Sequence, residues 1–320
     1  MSAARTPAFI QASDVDGRMD WAGAVAALRA GHQRGKAQVA DVFLGPSQGS
    51  LLSRAAHIEG LGFGVKSVTV FGQNPQAGLP TVQGAMQVFE PEHGRLVAVI
   101  DSRLITEWKT AADSLLGAQL LARPDSETLL IVGAGTVARS LVKAYTKGLP
   151  SIRRIWVWAR RADQAQALVD EAMVGEWAPG VNLAVASDLR AAALQADVIA
   201  TATMAREPVL RGEMVRPGTH VDLIGAFKAD MREADDALMQ AGRLFVDSRE
   251  TTLHHIGELM MPIAAGAITE AHVLGDLYDL VGKRVGRATR DDITVFKNGG
   301  GAHLDLMMAQ YIARAAGPAA

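Results

Sequence analysis

The chain has 320 residues, long for one hydrophobic core, so two domains are expected. With 49% hydrophobic and 21% charged residues it has the make-up of a globular protein, and a formal net charge of −2 with no basic block argues against nucleic acid as the main partner. The absence of cysteine excludes disulfides, thiolate catalysis and cysteine-ligated metals; no apolar run nears the roughly 20 residues of a membrane span, and the N-terminus lacks a basic-then-apolar layout, so a cytoplasmic location is expected.

Residues 20–34, DWAGAVAALRAGHQR, read as an amphipathic helix. Short alternating segments follow: AQVADVFL, SLLSRAAHI, FGVKSVTVF, and two runs that flank the turn signal EPEHG in MQVFEPEHGRLVAVID. This region is predicted to be a helix with an antiparallel sheet. A second helix is predicted from about Thr106 to Leu121, stopped by Arg123-Pro124-Asp125. From Thr128 the pattern becomes strand–helix alternation, with candidate strands TLLIV, RRIWVWA, NLAVAS, DVIATAT, HVDLIGA and RLFVDS, which predicts an α/β, doubly wound parallel sheet. The stretch from Ile268 to Arg284 looks helical; ITVFKN adds a strand and GAHLDLMMAQYIARAAG a closing helix. Trp156 and Trp158 share one face of their strand and are expected to pack.

The most informative stretch is TLLIVGAGTVARS, residues 128–140. An apolar strand, a glycine turn and a helix start form the arrangement that holds a dinucleotide pyrophosphate. Gly133 allows the turn, Gly135 lets backbone approach the phosphates, and Ala138 lets helix and strand pack closely. In this fold the end of the second strand meets the adenosine ribose, where an acidic residue suits NAD and arginine suits the 2′-phosphate of NADP. Arg160 lies 22 residues after Ala138 and is followed by Arg161, so NADP(H) is preferred, with NAD(H) as the alternative. Asp163 is expected to cap the next helix.

Lys66 sits in a strand between apolar neighbours, as either an edge residue reaching water or a partly buried group whose desolvated amine serves as acid or base. His254, His255 and Glu258 have a roughly metal-like spacing but not the HExxH order, and no metal is expected.

Taken together, GVKSVTVF, GQNPQAGLPTVQG, the T-x-x-K-T-A-A segment at Thr106 to Ala112, GAGTVA, the REPVL segment from Arg206, HVDLIGAF and TVFKN resemble the ornithine cyclodeaminase/mu-crystallin family over nearly the whole chain. The resemblance implies a Rossmann domain, residues 121–292, inserted into an α+β substrate-binding and dimerisation domain, residues 1–120 plus 293–320, and a homodimer joined through the substrate-domain sheets. It implies that Lys66 contacts the substrate carboxylate and transfers a proton. It places Lys109 where the family usually has arginine, which keeps the charge and loses the bidentate fork. Arg54 is the candidate for the missing guanidinium, Thr81 is expected at the substrate, and Val82 at the nicotinamide. Cofactor contacts are expected from Gly133, Ala134, Gly135, Thr136, Val137, Ala138, Ala159, Arg160, Arg161, Thr201, Thr203, Met204, Gly225 and Lys297. Asp305 is expected to order the nicotinamide side or to cap or pack within the closing helix.

In the cyclodeaminase an aspartate after the fifth Rossmann strand contacts the substrate amines; Phe227 falls in the matching segment, and neither Asp222, expected to pack by its strand, nor Asp230, expected to begin the next helix, aligns with it. The resemblance therefore implies a reductase of a cyclic ketimine carboxylate, Δ1-pyrroline-2-carboxylate or Δ1-piperideine-2-carboxylate, using NAD(P)H. The alternatives are an NAD-dependent ornithine cyclodeaminase and a non-catalytic protein that binds NADPH and a small ligand.

Overall fold

A computed structural model describes residues 6–46 and 48–317. Among them the chain forms two compact units, one of residues up to Lys109 together with those from Gly301, the other of Thr110–Gly300.

The first unit is built on a six-stranded sheet of β1 (Ala8–Ile10), β2 (Gln38–Leu44), β3 (Ser50–Ile58), β4 (Gly62–Val70), β5 (Val82–Phe89) and β6 (Leu96–Asp101), in the order β1-β6-β5-β4-β3-β2. Strands β2 to β6 run as an antiparallel meander, and β5 and β6 flank the predicted turn. The short β1, not expected from the sequence, pairs parallel with β6. Helix α1 (Trp21–His32) starts where Asp20 accepts the Gly23 amide at 2.6 Å. The next helix, α2 (Ser102–Leu121), opens a turn earlier than predicted because the Asp101 carboxylate takes the Arg103 amide at 2.8 Å. The closing helix, residues Ala302–Ala316, packs on β3, β4 and β5 and against α1. Alternate residues of the central strands face it, so Ile58, Val68, Met86, Val88 and Ile100 are buried with Leu304 and Met308.

The second unit is an eight-stranded, all-parallel sheet. Its elements in chain order are β7 (Thr128–Val132), α3 (Thr136–Gly148), β8 (Arg154–Trp158), α4 (Ala162–Val174), β9 (Asn182–Val185), α5 (Leu189–Ala193), β10 (Val198–Thr201), β11 (His220–Leu223), α6 (Asp236–Ala241), β12 (Arg243–Val246), α7 (Arg249–Thr252), α8 (Gly257–Ala264), β13 (Val273–Gly275), α9 (Leu277–Val281) and β14 (Thr294–Lys297); the closing helix is α10. The order β13-β12-β14-β11-β10-β7-β8-β9 reverses direction between β7 and β10, the switch point at which doubly wound sheets bind ligands. Strands β7 and β10 are apolar and wholly buried, as strands covered on both faces must be.

Several local expectations are corrected. Residues 268–284 are not one helix: Val273–Gly275 adds an edge strand to β12, which leaves only the five-residue α9. The strand at 294–297, expected in the substrate domain, is a central strand of the parallel sheet between β11 and β12. Asp163 lies in the first turn of α4 rather than capping it, since the N-cap is Arg161. Asp230 stands in a turn, 3.3 Å from Arg206, and the following helix is capped by Asp235. Trp156 and Trp158 pack against the core.

Candidate active site

The glycine turn after β7 lies at the switch point. Gly133 has φ +123°, open to glycine and strained for other residues, and a Cβ there would stand 2.5 Å from the Ala202 carbonyl. Gly135 is the N-cap of the thirteen-residue α3, and a Cβ on it would meet nothing within 4 Å. A helix N-terminus thus opens onto free space, as a bound pyrophosphate requires. The adjoining cavity, of about 340 Å³, is lined by Gly133, Ala134, Gly135, Trp158, Ala159, Arg160, Arg161, Thr203 and Met204, among others. Two arginines share that cavity with the glycine turn, and among its lining residues there is no carboxylate.

Other expected contacts have different places. Thr136 and Val137 form the first turn of α3, and Ala138 is buried against the sheet. Thr201 is buried at the end of β10, opposite Val132. Gly225 donates its amide to Glu233 Oε2 at 2.6 Å, while Glu233 Oε1 accepts both the amide and the hydroxyl of Thr203 at 2.7 Å. This fully buried carboxylate, for which the sequence offered no motif, ties the ends of β10 and β11 and holds Thr203 in the cavity wall.

Lys297 does not line that cavity and does not lie at the surface: its Nζ is buried and donates to the Leu223 and Asn298 carbonyls, both at 2.8 Å. Burial pulls its pKa down, while Glu258, Glu233, Asp247 and Asp222 act to keep it charged. Glu258 is also internal, accepting the Glu233 and Ala234 amides at 2.8 and 2.9 Å; His254 stands apart, exposed and 3.8 Å from Glu270. Burial lifts Asp222 to about 7 against the hydrogen bond from Tyr145, whose hydroxyl lies 2.8 Å from Asp222 Oδ2. Phe227 is 52% exposed, with the Lys228 ammonium 5.4 Å from its ring centre.

In the first unit, Lys66 points to the sheet face covered by α10, and its Nζ lies 2.7 Å from Asp305 Oδ2. Both groups are buried. Burial drives the Lys66 pKa below its ordinary value, Asp305 opposes this, and Lys109 and Arg54 add to the fall. Burial pushes Asp305 upward, but Lys66 and then Lys109 hold it below the ordinary carboxylate range. The aspartate of the closing helix is therefore the counterion of the lysine. Lys109 is buried too, and among the described residues its ammonium has no hydrogen-bond or ion-pair partner. Arg54 is the direct cross-strand neighbour of Lys66, and its Nε and Nη2 fork onto Asp41 of β2 at 3.0 and 2.7 Å. Burial keeps the neighbouring His303 neutral, with its pKa well below the ordinary value. Thr81 accepts the Phe71 amide through its carbonyl just before β5, and Val82 is exposed at the start of that strand. Sequence reasoning missed Asp41; the alternation of β2 opposite Arg54 was the one available signal.

A doubly wound unit with an arginine-lined glycine turn, and a second unit with a buried lysine–carboxylate pair beside two further cations, describe a dinucleotide-dependent enzyme for a small anionic substrate. The profile of the ornithine cyclodeaminase/mu-crystallin family matches residues 23–317, and the chain belongs to that family. It is 66% identical over 310 residues to a protein of Paracoccus denitrificans named Δ1-pyrroline-2-carboxylate reductase, covering 96% of each chain. Among solved structures, Δ1-pyrroline-2-carboxylate reductase of Thermococcus litoralis in complex with NADH and L-proline is similar with a TM-score of 0.89 and 28% identity over 97% of both chains. An archaeal alanine dehydrogenase dimer with bound NAD is similar at a TM-score of 0.88 and 28% identity, over 97% of this chain and 96% of that one.

Proposed function

We propose that the protein reduces a cyclic ketimine carboxylate, Δ1-pyrroline-2-carboxylate or Δ1-piperideine-2-carboxylate, to the cyclic amino acid at the expense of NAD(P)H, with NADPH preferred. The observation that carries the reading is the buried Lys66–Asp305 pair with Lys109 beside it, in a chain that also bears the dinucleotide turn. The 66% identity to a named Δ1-pyrroline-2-carboxylate reductase supports the same substrate class.

A bound nicotinamide would supply a hydride to the imine carbon. Gly133, Ala134, Gly135 and the first turn of α3 at Thr136, Val137 and Ala138 are assigned to the pyrophosphate, Ala159, Arg160 and Arg161 to the adenosine side, and Thr203 and Met204 to the wall beyond. Arginine forks match phosphate oxygens, which supports the preference for NADPH. Lys109 is assigned to the substrate carboxylate, with Thr81 and Arg54 around it. Lys66 is assigned the proton that the ring nitrogen gains as imine becomes amine; Asp305 keeps that lysine charged until the proton is needed. Phe227, in place of a carboxylate, offers nothing to bind or deprotonate a second amine, which separates this chemistry from cyclodeamination.

The reading includes a homodimer joined through the six-stranded sheet. The face opposite Lys66 exposes Phe9, Phe63 and Val97, and the similar archaeal alanine dehydrogenase is a dimer. Sedimentation of the purified protein checks this.

The test is oxidation of NADPH and NADH with the five- and six-membered imine carboxylates, for wild type and Lys66→Ala. Wild-type turnover and its loss in the variant, with cofactor still bound, are expected. Full activity in the variant removes Lys66 from the chemistry, and ammonia release from ornithine without net NADH formation returns the protein to the lyases.

A further inference from the structure

Asp41, Arg54 and Lys66 form one cross-strand row. Asp41 is the register partner of Arg54, and Arg54 of Lys66, so all three project from the same face of the sheet. Two like charges directly opposite each other destabilise a sheet unless they are compensated. Here a carboxylate closes each end: Asp41 takes the Arg54 fork, and Asp305 of α10 takes Lys66 at 2.7 Å. The row is neutral as a whole. Lys109 lowers the Lys66 and Asp305 pKa values alike, so it acts on the same space, and it brings the one positive charge left without a counterion among these groups.

That count matches a ligand with a single carboxylate. A second carboxylate on the substrate would need a second cation, and the charge of Arg54 is already balanced by Asp41, which holds its Nε and Nη2. We propose that Asp41 sets the charge class of the substrate: by holding Arg54 it makes the site select imines with one carboxylate over imines with two. This rests on the imine-reductase reading above. Asp41 acts through Arg54, so it is a positioning residue. Its side chain is 31% exposed on an edge strand, where an isosteric change does not disturb a core.

The experiment compares wild type, Asp41→Asn, Asp41→Glu and Asp41→Asn combined with Arg54→Leu. The substrates are Δ1-pyrroline-2-carboxylate and the imine that ammonia forms with a four-carbon 2-oxo dicarboxylate; propionate and succinate serve as competing ligands. In Asp41→Asn the dicarboxylate-to-monocarboxylate ratio of kcat/KM is expected to rise about tenfold through KM, with succinate gaining over propionate to the same degree, the gain of one charge-assisted pair. Asp41→Glu restores the wild-type ratio, and the double variant loses the gain. An unchanged ratio in Asp41→Asn, or a gain that survives Arg54→Leu, overturns the proposal. Failure of wild type to reduce any imine overturns the functional reading instead, and the succinate-to-propionate ratio still tests Asp41.

Discussion

Asp305→Asn isolates the electrostatic design of the first unit. The substitution keeps shape and removes the charge that stands 2.7 Å from Lys66 Nζ. Two unit charges about 4 Å apart at an effective dielectric near 20 attract by about 4 kcal/mol, which corresponds to about three pK units on the lysine. Burial, Lys109 and Arg54 already drive the Lys66 pKa down, and Asp305 is the largest influence opposing them. Without it the ammonium gives up its proton at lower pH. Because the proposed chemistry uses the charged lysine, kcat/KM falls as pH rises through its pKa, and in the variant that fall is expected one to three units earlier. The measurement is the pH profile of NADPH oxidation with Δ1-pyrroline-2-carboxylate, from about pH 6 to 10, with thermal melting alongside. Removing one partner of a buried pair costs about 3–5 kcal/mol when the other stays charged. Neutralisation of Lys66 relieves part of that, so the loss of stability is expected to shrink as pH rises. A variant whose basic limb coincides with that of wild type refutes the assignment of the limb to Lys66 under the control of Asp305.

Replacing both Arg160 and Arg161 by alanine is expected to raise KM for NADPH by about ten- to a hundredfold and to leave NADH within about threefold, read from steady-state kinetics with each cofactor. Glu233→Gln sets an amide N–H against the Thr203 or Gly225 backbone donor, so one buried donor loses its acceptor at a cost of about 1–3 kcal/mol; cofactor KM should rise more than substrate KM, and equal changes in both count against a role at the cavity wall. Asp222→Asn tests the raised carboxyl pKa through stability. Burial lifts Asp222 from 3.8 to about 7, so between those values the folded state keeps a proton that the unfolded state has released. Its contribution is therefore complete below about pH 4 and is lost as pH climbs through about 7, on the order of 4 kcal/mol. Stability of the variant relative to wild type should improve over that interval in denaturant titrations, and a constant difference refutes the shift. The opposing slopes of His32 and His220, lowered by burial to about 4 and about 3, are common to both proteins and cancel in the difference.

Much of the architecture was legible because each unit obeys a simple period. Alternation over β2 to β6 marked the meander, and buried apolar runs beginning at Thr128 marked the parallel sheet. What escaped were elements too short to carry a period. β1 has three residues and depends on a partner 90 positions away, as in Ala8 with Ala98. β13 has three residues and follows a 3₁₀ turn, so its surroundings read as helix. The place of β14 was invisible for a different reason: local sequence specifies a strand, whereas its position between β11 and β12 is set by how the chain returns to the sheet.

The same distinction separates residues that local sequence brings together from those that only the fold positions. Gly133 and Arg160 sit in a local strand–turn–helix pattern, and the cavity gathers them as the pattern implies. Lys297 ends a buried strand and Lys66 lies within β4, yet the two do opposite work. In the second unit three of the buried charged groups act on backbone: Lys297 on the Leu223 and Asn298 carbonyls, Glu258 on the Glu233 and Ala234 amides, Asp247 on the Ser248 and Gly299 amides. Such groups satisfy donors and acceptors that strands leave open at their ends, and so they serve the fold. In the first unit Lys66 has a side-chain counterion, Arg54 has another, and Lys109 adds a third cation. Charges held by other side chains can be redistributed when an anion arrives; charges held by the backbone cannot without unravelling it. That criterion favours the proposed assignment of the chemistry to Lys66 and its neighbours, and Asp305, separated from Lys66 by more than two hundred residues, is the partner that only the fold reveals.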